Sequence, residues 1–88
     1  MNSEQIAESI ESFIRARFRI SADDARFSRH SSLWEEGYVD SIGVMELVAH
    51  IESTFGVVLP DEVFFDPGFT NVEGMATIVS KLPRQRVA

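Results

Sequence analysis

The side chain with the clearest chemical potential is Ser41, in the middle of the stretch LWEEGYVDSIGVMELV. A serine nucleophile needs a base within hydrogen-bond reach and a third group that orients this base. His50 lies about 13 Å further along the same predicted helix at 1.5 Å per residue, and His30 lies in a loop without an identifiable partner. The nucleophile-elbow pattern G-x-S-x-G is absent, because Val39 stands two residues before the serine. We therefore predict no catalytic residue.

The metal-ligating side chains follow no spacing that is typical of a metal site. Two histidines without cysteines and without the H-E-x-x-H pattern do not indicate zinc, and the acidic stretches lack the calcium-loop pattern. We interpret both histidines as surface residues and predict no metal. Because the chain has no cysteine, disulfides, thiolate metal sites and a cysteine nucleophile are excluded.

The net charge of −6 is unevenly distributed along the chain. Residues 1–32 contain five acids and five arginines, whereas residues 33–82 contain nine acids and a single lysine, a balance of −8. Such an acidic body repels phosphate backbones and argues against nucleic-acid binding. It favours basic patches on partner proteins, although acidic surface can also serve solubility alone.

The length of 88 residues corresponds to one small domain. No apolar run approaches the roughly 20 residues that span a bilayer, and MNSEQIAESIE has no basic region of a signal peptide. We expect a single domain over residues 1–83 and a disordered basic tail over residues 84–88. We also expect a cytoplasmic monomer without membrane insertion.

Apolar residues at helical spacing predict an all-α fold, a small four-helix bundle of three main helices and one short helix. Asn2 and Gln5 are a plausible capping start for the first helix, Gly56 ends the second, and Thr70 with Glu73 forms a capping box before the last. A loop of about 20 residues, long for a compact domain, separates the first two helices. The predicted helices are residues 3–18, from 40 or 41 to 55, 61–66 and 71–82.

The second helix has two faces. The side expected in the core carries Val44, Leu47, Val48, Ile51 and Phe55. The opposite side carries Ile42, Glu46, Ala49 and Ser53, with Met45 and His50 on its flanks. Asp40 is a favoured N-cap residue, and capping alone would explain the Asp-Ser pair. Gly43 lowers helix propensity by about 1 kcal/mol relative to alanine, so we expect a loosened first turn.

The stretch GYVDSIGVMELVAHIESTFGVVLPDE resembles the signature of the acyl carrier proteins, the phosphopantetheine-binding carrier family. The resemblance rests on the Asp-Ser-Ile triplet, the Glu-Leu pair after it, the IE..FG close and the Pro-Asp-Glu segment, and it covers about residues 4–82. Fatty-acid carriers typically place one residue between the loop glycine and Asp-Ser. Here Tyr38 and Val39 are two, a spacing similar to D-alanyl carriers and other stand-alone specialised carriers.

The resemblance implies a non-catalytic carrier with a covalent 4′-phosphopantetheine on Ser41. A phosphopantetheinyl transferase would attach this group from coenzyme A, and its thiol would hold acyl intermediates as thioesters for partner enzymes of fatty-acid-like or specialised biosynthesis. The alternatives are an aminoacyl or D-alanyl carrier loaded by an amino-acid ligase, and an unmodified carrier-like interaction subunit. The expected partners are the transferase, a loading ligase and acyl-processing enzymes with basic docking patches.

The resemblance also implies two sets of contact residues. The set expected to dock on partner enzymes is Asp40, Ile42, Met45, Glu46, Ala49 and Glu52. The set that would line a space for an acyl chain is Val44, Val48, Ile51 and Val63. For the second set, ordinary core packing remains the alternative.

Overall fold

The chain folds as a small helical bundle in a computed structural model that describes residues 2–21 and 23–84. Within these ranges the chain is helical and has no strand, which confirms the predicted fold class. Residues 85–88 of the predicted tail lie outside the described part. The α-helices are α1 (Ser3–Arg17), α2 (Ser41–Phe55) and α3 (Val72–Lys81), and two 3₁₀ helices, Asp61–Phe65 and Pro67–Thr70, precede α3.

The ends of α1 and α2 are capped as their sequences predict. The Asn2 side chain accepts a hydrogen bond from the Gln5 N–H (2.9 Å), and the Gln5 side chain accepts one from the Asn2 N–H (3.0 Å). Asp40 accepts a hydrogen bond from the Gly43 N–H at 2.7 Å, and α2 ends at Gly56, which has a left-handed φ of 64°. The first-turn N–H groups and the last carbonyls are thereby partly satisfied by local residues.

The predicted capping box of the last helix is wrong by one residue. Asn71 is the N-cap, and its side chain accepts a hydrogen bond from the Gly74 N–H at 2.7 Å. The Thr70 hydroxyl instead donates to the Pro67 carbonyl at 2.9 Å, because Thr70 is the last residue of the preceding 3₁₀ helix. The N–H of Glu73 donates to the carbonyl of Arg29 (2.9 Å), so this residue helps to join the loop to α3.

Three apolar side chains of the long loop, residues 18–40, belong to the same hydrophobic core as the helices. Phe27, Leu33 and Val39 are buried among side chains of all three α-helices. The Leu33 N–H also donates to the Thr70 carbonyl at 2.8 Å. The core residues contributed by the helices include Ile6, Ile10, Ile14, Leu47, Ile51, Phe55, Val72, Met75 and Val79.

Ion pairs hold the loop against α1. The Arg29 guanidinium donates to Glu4 (2.8 Å) and to Glu11 (2.8 Å), and Glu11 also accepts from Arg15 at 3.0 Å. The hydrogen bond from Arg29, with a further one from Arg15, lowers the pKa of the Glu11 carboxyl. The Arg15 guanidinium lies over the Phe27 ring, 4.7 Å from its centroid. Polar contacts at the surface and apolar contacts in the core therefore fasten the same segment.

The buried face of α2 differs from the prediction at two of five positions. Leu47, Ile51 and Phe55 are buried as expected, but Val44 and Val48 are only half-buried. Gly43, which hydrophobic patterning did not assign to the core, is buried instead.

Close packing explains the burial of Gly43. A Cβ atom on this residue would lie 2.6 Å from Cε1 of Phe18 and 3.0 Å from Cγ1 of Val39. Carbon atoms pack favourably at about 3.5–4.0 Å, so the absence of a side chain is what allows the Phe18 ring to approach α2. The glycine that lowers helix propensity therefore has a packing role at the start of α2.

Candidate functional site

Ser41 is the first residue of α2 and is exposed. Its hydroxyl forms no hydrogen bond with any other described residue. The cap of α2 is supplied by Asp40, which leaves the serine hydroxyl free of a structural role in the helix end. The structure thus presents a primary hydroxyl to the outside at the positive end of a helix dipole.

The structure places His50 away from Ser41 and in a partly buried site. The His50 ring stacks on Phe13 of α1, with ring centroids 4.1 Å apart and planes 13° apart. Its Nε2 is buried without a hydrogen-bond partner, and burial lowers the pKa of the imidazole. The interpretation of His50 as a surface residue is therefore wrong, because the imidazole serves as a flat packing group between α1 and α2. His30 is exposed, as expected.

A cleft of about 250 Å³ opens between the end of α1 and the start of α2, and Ser41 is not among the residues that line it. Its walls include Arg17 and Phe18 on one side and Asp40 and Ile42, the two neighbours of the serine, on the other. The Ser41 position fits a covalently attached phosphate, because its exposed hydroxyl lies at the N-terminus of α2.

The three acids of the expected docking set each bind within the chain. Glu46 accepts hydrogen bonds from Nε and Nη2 of Arg17, the second at 2.7 Å, and this carboxylate raises the pKa of the guanidinium. Glu52 accepts from the Leu59 N–H at 2.9 Å, and Asp40 caps α2. Every carboxylate of the set is therefore already bonded to another group of the fold.

The apolar residues of the docking set are free of such contacts. Ile42 and Met45 are 69% and 73% exposed, and Ala49 is exposed as well. We call Ile42, Met45 and Ala49 the α2 patch. Exposed apolar side chains that lie together on one helix face are typical of a protein-binding surface.

A second group of exposed apolar side chains was not anticipated from the sequence. Phe65 is 85% exposed, and Phe64 and Val58 are 42% and 56% exposed. The sequence feature that could have predicted this group is the Phe-Phe pair, because it lies in a segment of only one or two helical turns. A 3₁₀ helix has three residues per turn, so burial of Val63 leaves the next two side chains outside the core.

The residues expected to line an acyl-chain space do not share one environment. Ile51 and Val63 are buried in the core, whereas Val44 and Val48 are half-buried and pack against it. Their role towards an acyl chain stays a prediction.

Two further properties concern metal ions and membranes. Within residues 2–21 and 23–84, no three acidic or histidine side chains are grouped so that they could hold a metal ion. No helix in this part of the chain has the length and apolar character needed to cross a membrane.

Comparison with known protein families shows to which of them the chain is similar. A family model described as a phosphopantetheine attachment site matches residues 8–79, which include Ser41, all of α2 and the greater part of α1 and α3. None of the curated proteins matches the chain significantly.

Proposed function

The chain belongs to the phosphopantetheine attachment site family, which carries a covalently attached 4′-phosphopantetheine, and we propose that Ser41 is the residue that bears it. The observation that carries this proposal is the exposed hydroxyl at the first residue of α2, beside a helix cap that another side chain supplies. The 4′-phosphopantetheine group, once attached, supplies a thiol that forms thioesters with the cargo.

The chain provides the acceptor atom for attachment and no catalyst. The Ser41 oxygen forms the bond to phosphorus and loses its proton, while coenzyme A gives up its phosphopantetheine group and releases the adenosine bisphosphate part. Because His50 is held against Phe13, it does not serve as the base for this serine. The proton must therefore be removed by a phosphopantetheinyl transferase, and the chain acts as a non-catalytic carrier in a fatty-acid-like or specialised pathway.

Intact-mass measurement tests the assignment of Ser41. After incubation with coenzyme A and a broad-specificity transferase, the wild type should gain the mass of one phosphopantetheine group and Ser41→Ala should gain none. Ser53→Ala is the matched control, because Ser53 is an exposed serine on the same helix. A wild-type chain that gains no mass would favour the unmodified interaction subunit instead.

An aminoacyl carrier is the second candidate, and the two-residue spacing between Gly37 and Asp40, which is similar to that of D-alanyl carriers, favours it. Val39 is buried, and Tyr38 packs edge-on against Phe27 with ring centroids 5.1 Å apart, so both residues of the longer spacing are built into the fold. A loading assay with a fatty-acyl synthetase and with amino-acid ligases separates the candidates. Loading by the synthetase alone would exclude the aminoacyl carrier, and loading by a ligase alone would exclude the acyl carrier.

The α2 patch is the surface that we propose for docking of partner enzymes with a basic and partly apolar site. Met45→Arg places a positive charge on this patch, so it should slow modification or loading about tenfold or more while helicity is unchanged. Ser53→Arg, further along the helix and also exposed, should have a smaller effect. Equal rates for the two variants would show that docking occurs elsewhere.

A further inference from the structure

The imidazole of His50 lies between α1 and α2 and packs against aromatic rings on two sides. It stacks on the Phe13 ring, with centroids 4.1 Å apart, and the Phe55 ring meets it edge-on at 6.5 Å. Its Nδ1 lies 3.3 Å from the Thr54 hydroxyl oxygen, a contact that a neutral ring can make. Its Nε2 is buried and has no hydrogen-bond partner among the described residues. Neither nitrogen is therefore bonded to a carboxylate in this part of the chain.

The charged residues one turn from this stack are Arg17 and Glu46. Arg17 follows Phe13 by one turn on α1. Glu46 precedes His50 by one turn on α2. The two are paired with each other, so neither is available to balance a charge on the ring. Burial is the cause that lowers the pKa of the His50 imidazole.

Protonation of His50 would leave a buried N–H group without an acceptor. Both nitrogens of an imidazolium carry a proton, and Nε2 faces no acceptor in the described part of the chain. A buried donor without a partner opposes folding, and more so when it carries a charge. The Phe13 ring attracts a cation through its face, but this attraction is weak where the site is partly open to water, as at the half-buried His50. The unsatisfied charge therefore outweighs the attraction to the ring.

The stack belongs to the smaller of the two helix contacts of α1, which packs more extensively on α3 than on α2. We propose that the stack of His50 on Phe13 is an acid-sensitive joint between α1 and α2. Protonation of the imidazole weakens this joint and loosens α2, the helix that carries Ser41 and the α2 patch. The inference does not depend on attachment at Ser41, because the joint consists of other side chains.

The pH dependence of unfolding tests the joint, with His50→Phe as a variant that keeps a ring and cannot be protonated. Because the pKa of the imidazole is lower in the folded chain than its usual 6.5, the unfolded chain takes up the proton first. The contribution of the stack is therefore complete above about pH 6.5 and is lost as the pH falls below this value. Between about pH 8 and about pH 5.5, the folding equilibrium constant of the wild type should fall about threefold or more relative to that of His50→Phe.

His30→Gln is the matched control for this comparison, because His30 is the exposed histidine. This variant should keep the pH dependence of the wild type. An equal pH dependence of the wild type and His50→Phe would overturn the inference.

Nuclear magnetic resonance of the wild type gives a readout that needs no folded variant. The ring current of Phe13 should shift the proton signals of the stacked His50 ring. Acidification should reduce this shift, and the amide signals of the α2 patch should change with the same midpoint, below pH 6.5. A His50 midpoint at or above pH 6.5, an unchanged ring-current shift, or unchanged amide signals of the patch would contradict the joint.

Discussion

The long loop and the outer side of α2 contrast in regularity and in exposure. The described residues of the loop, 18–21 and 23–40, have no α-helix, yet Leu33 is fully buried and Arg29 joins the loop to two acids of α1. The start of α2 is a regular capped helix, yet Ile42 and Met45 extend into solvent. The irregular segment is therefore the more firmly anchored by side chains, and the regular one provides the free surface.

This contrast separates the residues that hold the fold from those available to a partner. A loop without backbone ladders needs buried side chains and ion pairs to stay in place. A helix satisfies its backbone internally, so one of its sides can remain uncovered. A site for docking and attachment is more easily placed on the helix, because its outer side chains can change without disturbing the core.

The largest expected effect is the difference in stability loss when one apolar side chain is truncated in the loop and one on the outer side of α2. Leu33→Ala removes a fully buried side chain from the loop and should lower the free energy of unfolding by about 3 kcal/mol. Met45→Ala truncates a side chain that is 73% exposed and should change it by less than about 0.5 kcal/mol. Denaturant titration of both variants provides the measurement. Comparable losses would mean that the α2 patch is packed in solution.

An intermediate effect is expected where the loop meets α2. Gly43→Ala should destabilise the wild type by about 1 kcal/mol, because the new Cβ would overlap the Phe18 ring. In a Phe18→Ala background the same substitution should be less destabilising by about 1 kcal/mol or more, since the overlap with the ring is gone and the gain in helix propensity opposes only the 3.0 Å contact with Val39. Thermal or denaturant unfolding of the four chains measures this coupling. An equal effect in both backgrounds would show that Phe18 is not what requires the glycine.

The smallest expected effect concerns the ion pairs of the loop. Arg29→Gln should lower the free energy of unfolding by about 1 kcal/mol at neutral pH. Because Arg29 lowers the pKa of Glu11 in the folded chain, this contribution is present above the usual pKa of about 4.5 and is lost as the pH falls through the lowered value. Unfolding curves between neutral and acidic pH should therefore converge for wild type and Arg29→Gln. Arg26→Gln is the matched control, and an equal pH dependence in both variants would exclude Arg29 as the cause.

Some features were within reach of sequence reasoning because they depend on neighbours in the chain. The Asn2–Gln5 capping box, the Asp40 cap and the Gly56 end all join residues a few positions apart. The predicted cap of the last helix was wrong by one residue, because Thr70 and Asn71 are both good N-cap residues. Thr70 belongs to the 3₁₀ helix that precedes α3, so Asn71 is the cap. When two neighbouring residues are equally good N-caps, the structure of the preceding turn determines which of them is used.

Sequence reasoning about the docking set was limited in the same way, by contacts between residues that are distant in the sequence. The exposure of Ile42 and Met45 follows from their helical positions and was anticipated. The bond between Glu46 and Arg17 joins residues 29 positions apart, so no local pattern could reveal that this acid already has a partner. The stacking of His50 on Phe13 is equally non-local.

Local chemistry and periodicity were thus sufficient for the helices and for the caps of α1 and α2, because these depend on spacings of one to four residues along one chain segment. The attachment at Ser41 stays a prediction that rests on the family resemblance. Packing of the assembled fold was needed for the burial of Gly43, the anchoring of the loop by Arg29 and the Arg17–Glu46 pair. These contacts form only when segments that are distant in the sequence are brought together. The free energy of each contact depends on how far the surrounding residues exclude water from it.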